Sequence, residues 1–302
     1  MKKRILFLIL LTSVVVQLII LPAEKISAGE KIVVNQNEWK TLEQIFGRKG
    51  TVQDNVFKVT FPRSDLKVQV GEVMIEPGLA LTGWLAFKLH ENETMMMGDL
   101  VLLDTEVPQV ISKLCSSGID ITGLHNHLIS EMPSVMYLHV EGHGEAKKLA
   151  ESVKTALAQT GTPLTQPSVP TQPSAFDWSK VEAIMGQKAR RSGDLLQLSI
   201  SRSEPIKENT TVIPPFMGVA SPINFQAVGK KAVTTGDFVL LANEVNPVVR
   251  ALTEHGITVT AIHNHMLFES PRLFFLHFWG FDDPEKLARG LKAALEKTNH
   301  VK

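Results

Sequence analysis

Cysteine is almost absent from this sequence, and its charges cancel. Cys115 is the single cysteine, which excludes an internal disulfide. The 31 Lys and Arg residues balance 31 Asp and Glu residues, and no basic stripe interleaved with aromatic side chains stands out. Nucleic acid is therefore not an expected partner. The sequence also lacks a Ser-His-Asp arrangement, a glycine-rich phosphate loop and a paired-cysteine metal site, which leaves histidine as the residue type that points to chemistry.

The amino terminus has the pattern of an export signal. Lys2, Lys3 and Arg4 precede an apolar run at residues 5–20, and small residues follow up to Ala28. This order predicts a signal peptide over residues 1–28, cleaved after Ala28, and an extracytoplasmic protein that is secreted or associated with the cell envelope. An uncleaved segment would instead tether the protein to a membrane. No cysteine ends the apolar run, so a lipid-modified amino terminus is excluded.

The rest of the chain is an internal duplication. Residues 98–142 match residues 236–280 at 20 of 45 positions without a gap, at a constant shift of 138. Upstream, Trp39, Arg63 and Ser64 match residues 139 positions later. We therefore predict two homologous domains, residues 37–158 and 176–299. Residues 159–175, rich in Pro, Thr and Gln, form the predicted linker between them.

Each repeat has the same predicted order of elements. An amphipathic helix is followed by alternating strands, a helix that a glycine ends, a hairpin that carries histidines, and a last amphipathic helix. The predicted helices span residues 39–46, 107–116 and 145–157 in the first repeat and 178–185, 247–255 and 284–295 in the second. This order predicts an α+β fold, in which each domain is a mainly antiparallel sheet with helices packed on one face.

Three histidines recur in each predicted hairpin. They are His125, His127 and His139 in the first repeat and His263, His265 and His277 in the second. A turn centred on Met132 would place His125 opposite His139, and side chains two apart on a strand share a face, so the three imidazoles would converge on one ion. A single His-x-His segment on a strand is more often a polar pair on a half-buried face than a metal site. Here the whole trio is kept in both diverged repeats, which favours metal ligation.

The chemistry expected of such a site is that of a divalent metal. Three histidines with an open position are typical of catalytic zinc, and iron, manganese and copper are the alternatives. Glu131 and Glu269 at the turns are predicted to supply a fourth ligand, or a base that acts on metal-bound water. The spacing resembles the first metal motif of cupins, but the third histidine follows too soon for a cupin.

Other polar residues of the repeat have structural interpretations. Asn126 and Asn264 point away from the predicted histidine face, where bracing of the backbone is their expected use. Glu106 and Glu244 stand near helix starts, where capping is favoured over catalysis. Asp99 and Asp237 follow glycines before a strand and are weaker candidates than the histidines.

The repeated segments also resemble a known family. The motifs Gly-Asp-x-Val-Leu-Leu, Gly-Ile-x-x-Thr-x-x-His-Asn-His and Glu-x-Pro-x4-Leu-His are similar to those of the LppY/LpqO family of bacterial exported proteins. The resemblance covers nearly all of the mature chain and implies export and the duplicated fold. It implies no substrate or reaction.

These observations lead to one main hypothesis and two alternatives. The main hypothesis is an exported metal-binding protein with a separate histidine site in each half, acting as a zinc-dependent hydrolase on cell-envelope material. The first alternative is a non-catalytic module that binds an envelope ligand, a small molecule or a protein through Tyr137, Phe275 and Trp279. The second is a pH-responsive pairing of the two halves through their histidines.

Overall fold

A computed structural model describes residues 36–90, 93–165 and 176–302 of the chain. All of these residues belong to one compact unit, Val34–Lys302. The predicted export signal and most of the predicted linker lie outside the described residues. Within the part of the chain that is described, no helix combines the length and the apolar character needed to cross a membrane.

The described part of the first repeat contains nine strands. They are β1 (Thr51–Gln53), β2 (Val56–Pro62), β3 (Gln69–Val70), β4 (Val73–Met74), β5 (Thr82–His90), β6 (Glu93–Leu103), β7 (Asp120–His125), β8 (Glu131–Met132) and β9 (Val135–Gly144). Six of them form an antiparallel sheet in the order β1-β2-β5-β6-β9-β7. The three short strands form a small sheet in the order β4-β3-β8.

The second repeat contains nine strands in the same arrangement. They are β10 (Arg190–Ser192), β11 (Leu195–Ser201), β12 (Ile206–Glu208), β13 (Thr211–Ile213), β14 (Ala220–Val228), β15 (Lys231–Leu240), β16 (Thr258–His263), β17 (Glu269–Ser270) and β18 (Phe274–Asp282). The large sheet has the order β10-β11-β14-β15-β18-β16, and the small sheet has the order β13-β12-β17. The equivalent orders confirm the predicted α+β fold with two homologous halves.

Helices cover one face of each large sheet. They are α1 (Gln36–Phe46), α2 (Val107–Ser116), α3 (Ala146–Leu157), α4 (Ser179–Met185), α5 (Ala242–Glu254) and α6 (Pro284–Leu295). In the first repeat, Leu42 of α1 and Val153 of α3 share a buried core with Phe87 of β5. The apolar face of each helix is thus removed from water, which stabilises a helix of this length more than its intrinsic propensity does.

A buried ion pair fixes the start of the middle helix in each repeat. The Glu106 carboxylate accepts a hydrogen bond from the Leu103 backbone N–H at 2.8 Å and pairs with Arg63 at 2.7 Å. Glu244 does the same with the Leu241 N–H and with Arg202. These contacts confirm the predicted capping role of both glutamates.

The other face of each large sheet packs against the other repeat. Strand β6 is buried along nearly its whole length, because helices cover one side and the second repeat covers the other. Two apolar clusters combine side chains of both repeats. One contains Ala86, Met95 and Met97 with Ile206, Ile213 and Phe275; the other contains Val68, Val73 and Tyr137 with Leu195 and Val233. The repeats therefore share a core.

The predicted register of the histidine hairpin is wrong by two residues. His125 lies opposite Tyr137 rather than His139, which lies opposite Gly123. The reason is that the connection is not a tight turn, because β8 within it pairs with β3. A shift of two residues keeps side chains on the same face, so the histidines still project together.

Candidate metal centre

The six repeated histidines meet in one cluster, here called the histidine centre: His125, His127, His139, His263, His265 and His277. The closest ring contacts join the two repeats. The ring centroids of His125 and His263 are 3.5 Å apart, and those of His127 and His277 are 3.8 Å apart. His139 and His265 are also 3.8 Å apart. The expectation of a separate site in each half is therefore wrong: the structure forms a composite centre.

Reciprocal hydrogen bonds from threonine hydroxyls to backbone carbonyls bring the two histidine segments together. The Thr122 hydroxyl donates to the His265 carbonyl at 2.5 Å, and the equivalent Thr260 hydroxyl donates to the His127 carbonyl at 2.5 Å. Such an exchange of equivalent contacts is characteristic of two-fold symmetry. The pairing holds the segments after β7 and β16 side by side, so His127 and His265, which lie beyond the strand ends, face the opposite repeat.

The intervening asparagines brace these segments. The Asn126 side-chain amide donates to the Leu128 carbonyl at 2.6 Å. The Asn264 amide donates to the Met266 carbonyl at 3.2 Å and, across the repeats, to the Thr122 carbonyl at 2.7 Å. This is the bracing role that the sequence predicted.

Several imidazoles are oriented with the Nε2 atom directed inward. The Nδ1 atom of His277 is 2.8 Å from the Gly236 carbonyl, and that of His125 is 3.1 Å from the Asn126 carbonyl. Because a carbonyl can only accept a hydrogen bond, Nδ1 must carry the hydrogen and Nε2 must carry the lone pair. A backbone carbonyl on the outer nitrogen is the usual support of a metal-bound histidine.

The inward atoms have few partners among the described residues. The Nε2 atoms of His127, His263, His265 and His277 are buried and make no hydrogen bond there. The Nε2 atoms of His125 and His139 face each other at 2.8 Å. Since the His125 Nε2 is an acceptor, this distance requires a hydrogen on the His139 Nε2. Buried polar atoms rarely lack a partner, so the four unpartnered Nε2 atoms call for a bound water, ligand or ion.

Among the described residues, three overlapping groups have ligand atoms within 4.8 Å of one another. They are His125 with His139, His263 and His265; His125 with His127 and His277; and Asp237 with His263 and His277. The first two groups each combine both repeats. Nitrogen donors of this kind suit zinc, copper, nickel and iron.

Burial keeps the imidazoles neutral. It lowers the pKa of His277 to about 3 and places the pKa of His127, His139 and His265 well below the usual value. Burial also lowers the pKa of His125 and His263. A neutral imidazole is the form that ligates metal, so no proton needs to be displaced from these nitrogens near neutral pH.

Two aspartates complete the centre, and the sequence interpretation underrated them. Asp237 Oδ2 lies 3.0 Å from His265 Nε2 and 3.9 Å from His277 Nε2, and Asp99 Oδ2 lies 3.9 Å from His127 Nε2. Burial, and then the charge of Asp237, raise the pKa of Asp99 to about 8, while Lys58 acts in the opposite direction. Burial also raises the pKa of Asp237. The signal available in the sequence was the repeated Gly-Asp, which recurs with the histidines at the same shift.

Glu131 and Glu269 lie at the small sheets, outside the three ligand groups found among the described residues. The Glu269 carboxylate accepts a hydrogen bond from the Leu273 backbone N–H at 2.9 Å, and that of Glu131 accepts from the Val135 N–H at 3.3 Å. Burial raises the pKa of Glu131 to about 7. Both carboxylates thus brace the connection before the return strand, and Asp237 occupies the acidic position in the centre.

The apolar surface proposed for ligand binding is not exposed. Tyr137 and Phe275 are fully buried and stack on His127 and His265, with ring centroids 3.2 Å and 3.4 Å apart. Trp279 packs partly buried against the cluster that contains Tyr137. Tyr137 and Phe275 therefore shield the histidine centre rather than forming a contact face.

A cavity of about 420 Å³, here called the repeat cavity, reaches the centre from one side. Its inner end is formed by Asp99, Asp237, His127, His265 and His277, and both repeats contribute to its walls. A volume of this size is typical of small-molecule sites. The cavity therefore gives a solute access to three histidines and both aspartates of the centre.

Comparison with known sequences identifies the repeat. A family model described as "Domain of Unknown Function (DUF1259)" matches residues 40–159 and again residues 179–297. The chain belongs to this family. The two matches correspond to the two halves of the fold, so each DUF1259 repeat comprises one large sheet with its helices. A search of curated proteins gives no match.

Two solved structures are similar to the chain at a low level. A trimeric bacterial microcompartment shell protein, PduB, shares 10% identity over 83% of this chain and 95% of its own, with a TM-score of 0.21. EtuB from Clostridium kluyveri shares 8% identity over 82% of this chain and 90% of its own, with a TM-score of 0.20. Likeness at this level supports no argument about the DUF1259 repeats.

Proposed function

We propose that the protein binds divalent metal, with zinc the expected ion, at the histidine centre. The observation that carries this proposal is the convergence of six buried or partly buried, neutral imidazoles whose inward nitrogens have few partners among the described residues. Desolvating so many nitrogens costs free energy, and a bound ion would offset that cost. Asp99 and Asp237 would balance part of the charge of the ions.

We further propose two ions, each held by both repeats. One would take the pair His139 and His265, and the other would take the equivalent pair His127 and His277. His125 and His263 are stacked between the pairs, and each of them would bind one of the two ions. The reciprocal ring contacts and the mixed ligand groups support this division.

Two matched double variants distinguish this arrangement from one site per repeat. The cross-repeat variant His139→Ala with His265→Ala removes ligands of one proposed ion and should leave about one of about two equivalents. The within-repeat variant His127→Ala with His139→Ala removes a ligand of each ion and should leave almost none bound tightly.

Separate sites would reverse these two results. The measurement is metal content after gel filtration, with unfolding curves to show that each variant folds. Less than about a tenth of an equivalent in the wild-type chain, unchanged by His125→Ala with His263→Ala, would contradict metal binding altogether.

We propose hydrolysis as the reaction at this centre, because the repeat cavity gives a substrate and water access to His127 and His277 of one proposed ion and to His265 of the other. A bound divalent ion would lower the pKa of its water toward neutrality, and the Asp99 or Asp237 carboxylate would accept the proton. Hydrolysis of p-nitrophenyl acetate or p-nitrophenyl phosphate should disappear on chelation and in His127→Ala. Turnover that survives chelation, or no turnover of either by the fully loaded protein, would contradict a hydrolase.

The finer identification and the location are part of the same proposal. The repeated motifs support membership of the LppY/LpqO group within the wider family, and the pattern of residues 1–28 supports export to the cell envelope, where envelope material would be the substrate. Fractionation of the native cells, with sequencing of the mature amino terminus, tests this location. A cytoplasmic protein that retains residues 1–28 would contradict it.

A further inference from the structure

One wall of the repeat cavity carries a half-buried cation. Lys58 lies on β2 with its ammonium 4.0 Å from the ring centroid of Trp84 and 5.2 Å from that of Phe216. An ammonium over aromatic faces is stabilised by their quadrupoles even where water is excluded. Trp84 belongs to the first repeat and Phe216 to the second, so the cation lies where the two repeats meet.

The ammonium has hydrogen-bonding capacity beyond its protein contact. Lys58 Nζ donates to the Phe216 carbonyl at 3.2 Å, and no other acceptor for it is found in the described residues. An ammonium has three hydrogens to donate. Burial lowers the pKa of Lys58 to about 8, with Asp99 acting in the opposite direction, so the side chain remains largely cationic at pH 7.

The second repeat does not reproduce this cation. Gln197 stands 139 residues after Lys58 and occupies the equivalent position on β11. Its side-chain amide donates to the Gly78 carbonyl at 2.8 Å, and so it is engaged by the protein itself. The cavity therefore departs from two-fold symmetry at this position, where the first repeat presents an ammonium beside the duplicated centre. Arg190, which also lines the cavity, is exposed.

These contacts lead to a substrate class, and the inference rests on the metal centre proposed above. We propose that the repeat cavity binds a small molecule that carries one carboxylate, with the carboxylate on Lys58 and the reacting group at the ion near His127 and His277. One ammonium balances the single charge of a carboxylate. The volume of about 420 Å³ accommodates a molecule of this kind.

A pair of metal-binding probes tests the proposal on the full, zinc-loaded chain. Butyrohydroxamate and succinate monohydroxamate both ligate zinc, and they differ in that a carboxylate replaces a terminal methyl group. Titration calorimetry should show that the wild-type chain prefers the carboxylate probe by about tenfold or more. Lys58→Gln, which copies the residue of the second repeat, should abolish this preference while affinity for butyrohydroxamate stays within about twofold.

Lys88→Gln is the matched control. Lys88 lies on the neighbouring strand β5 and donates to the Val212 carbonyl at 2.7 Å, but it does not line the cavity. This variant should keep the preference. An equal affinity of the wild-type chain for both probes, or a preference that survives in Lys58→Gln, would overturn the proposal. Zinc content, measured first, separates this failure from a failure of the metal centre itself.

Discussion

Metal binding requires neutral imidazoles and ionised carboxylates. In the histidine centre the imidazoles are already neutral, but the carboxylates are not held in the ionised form. Burial keeps the histidines neutral, whereas it raises the pKa of Asp99 to about 8 and also raises that of Asp237. Burial therefore favours the deprotonated form of the histidines and the protonated form of the aspartates. An ion would favour the neutral imidazole and the ionised carboxylate together.

We predict that the metal-free protein is most stable near pH 6.5. Histidines in the unfolded chain take up protons below their usual pKa of 6.5, whereas the buried ones do not, so stability falls as the pH drops. Asp99 binds a proton more tightly when folded, so stability falls again as the pH rises toward its pKa of about 8. The loss between pH 6.5 and pH 5 should be at least about 3 kcal/mol, because six groups contribute.

Urea unfolding at pH 5, 6.5 and 8 measures this profile. Zinc should remove the decline between pH 6.5 and 8, since it favours the ionised aspartates. A metal-free protein whose stability is constant from pH 5 to 8 would show that the imidazoles are not buried as described.

We predict that Glu269 supports structure rather than catalysis. Glu269→Gln keeps an oxygen that can accept from the Leu273 N–H, so stability and turnover should change little. Glu269→Ala leaves that N–H without its acceptor and should cost about 1–3 kcal/mol, with zinc content unchanged. A loss of turnover in Glu269→Gln at unchanged stability would instead identify the glutamate as the base that the sequence predicted.

At the scale of elements, the local pattern predicted much of the fold. The helix at residues 107–116 was predicted to the residue, because apolar periodicity defines it and Gly118 follows its end. The short strands β3, β8, β12 and β17 could not be predicted in this way. Two or three residues carry no period, and these strands exist because they pair with distant segments. The error in the hairpin register follows from the same pairing.

Glycines in the central strands allow the close approach that places the aspartates. A Cβ atom on Gly236 of β15 would lie 2.1 Å from the Pro222 carbonyl oxygen of β14, and the Gly236 carbonyl also accepts from His277 Nδ1. The residue thus sets both the spacing of two strands and the orientation of one imidazole.

We predict that Gly236→Ala destabilises the protein by about 2–4 kcal/mol and lowers zinc content, because backbone atoms must move apart. Gly71→Ala is the control: Gly71 has a φ of +58° and no atom within 4 Å, so it should cost about 1 kcal/mol of local strain and keep the zinc. Denaturant unfolding and metal analysis of both variants provide the comparison, and equal zinc content in the two would contradict the expected role of Gly236.

At the scale of the molecule, the composite centre could not be predicted from spacing within a repeat. The trio of histidines, their shared face and the duplication were all present in the sequence, but the separation between the two trios depends on how the repeats pack. That packing is determined by apolar residues such as Met97 and Phe275, which belong to a mixed cluster. Nothing in their local pattern distinguishes a core within a repeat from a core between repeats.

We predict that neither repeat is a stable monomer alone. Residues 36–165 or 176–302 expressed separately would expose the apolar face that the other repeat covers, and should self-associate or aggregate. Mixed together, the two fragments should form a one-to-one complex that binds zinc as the intact chain does. Light scattering and metal analysis of each fragment and of the mixture test this, and a soluble monomeric fragment that binds zinc by itself would contradict it.

The exchange of contacts between Thr122 and His265, and between Thr260 and His127, has a consequence for the history of the chain. A duplicated segment ordinarily provides a spare copy, which can lose its residues while the original keeps the function. Here there is no spare copy, because each proposed ion draws ligands from both halves. A histidine lost from one repeat damages a site that the other repeat also needs. The two histidine sets are therefore constrained to persist together, even where the surrounding sequence has diverged.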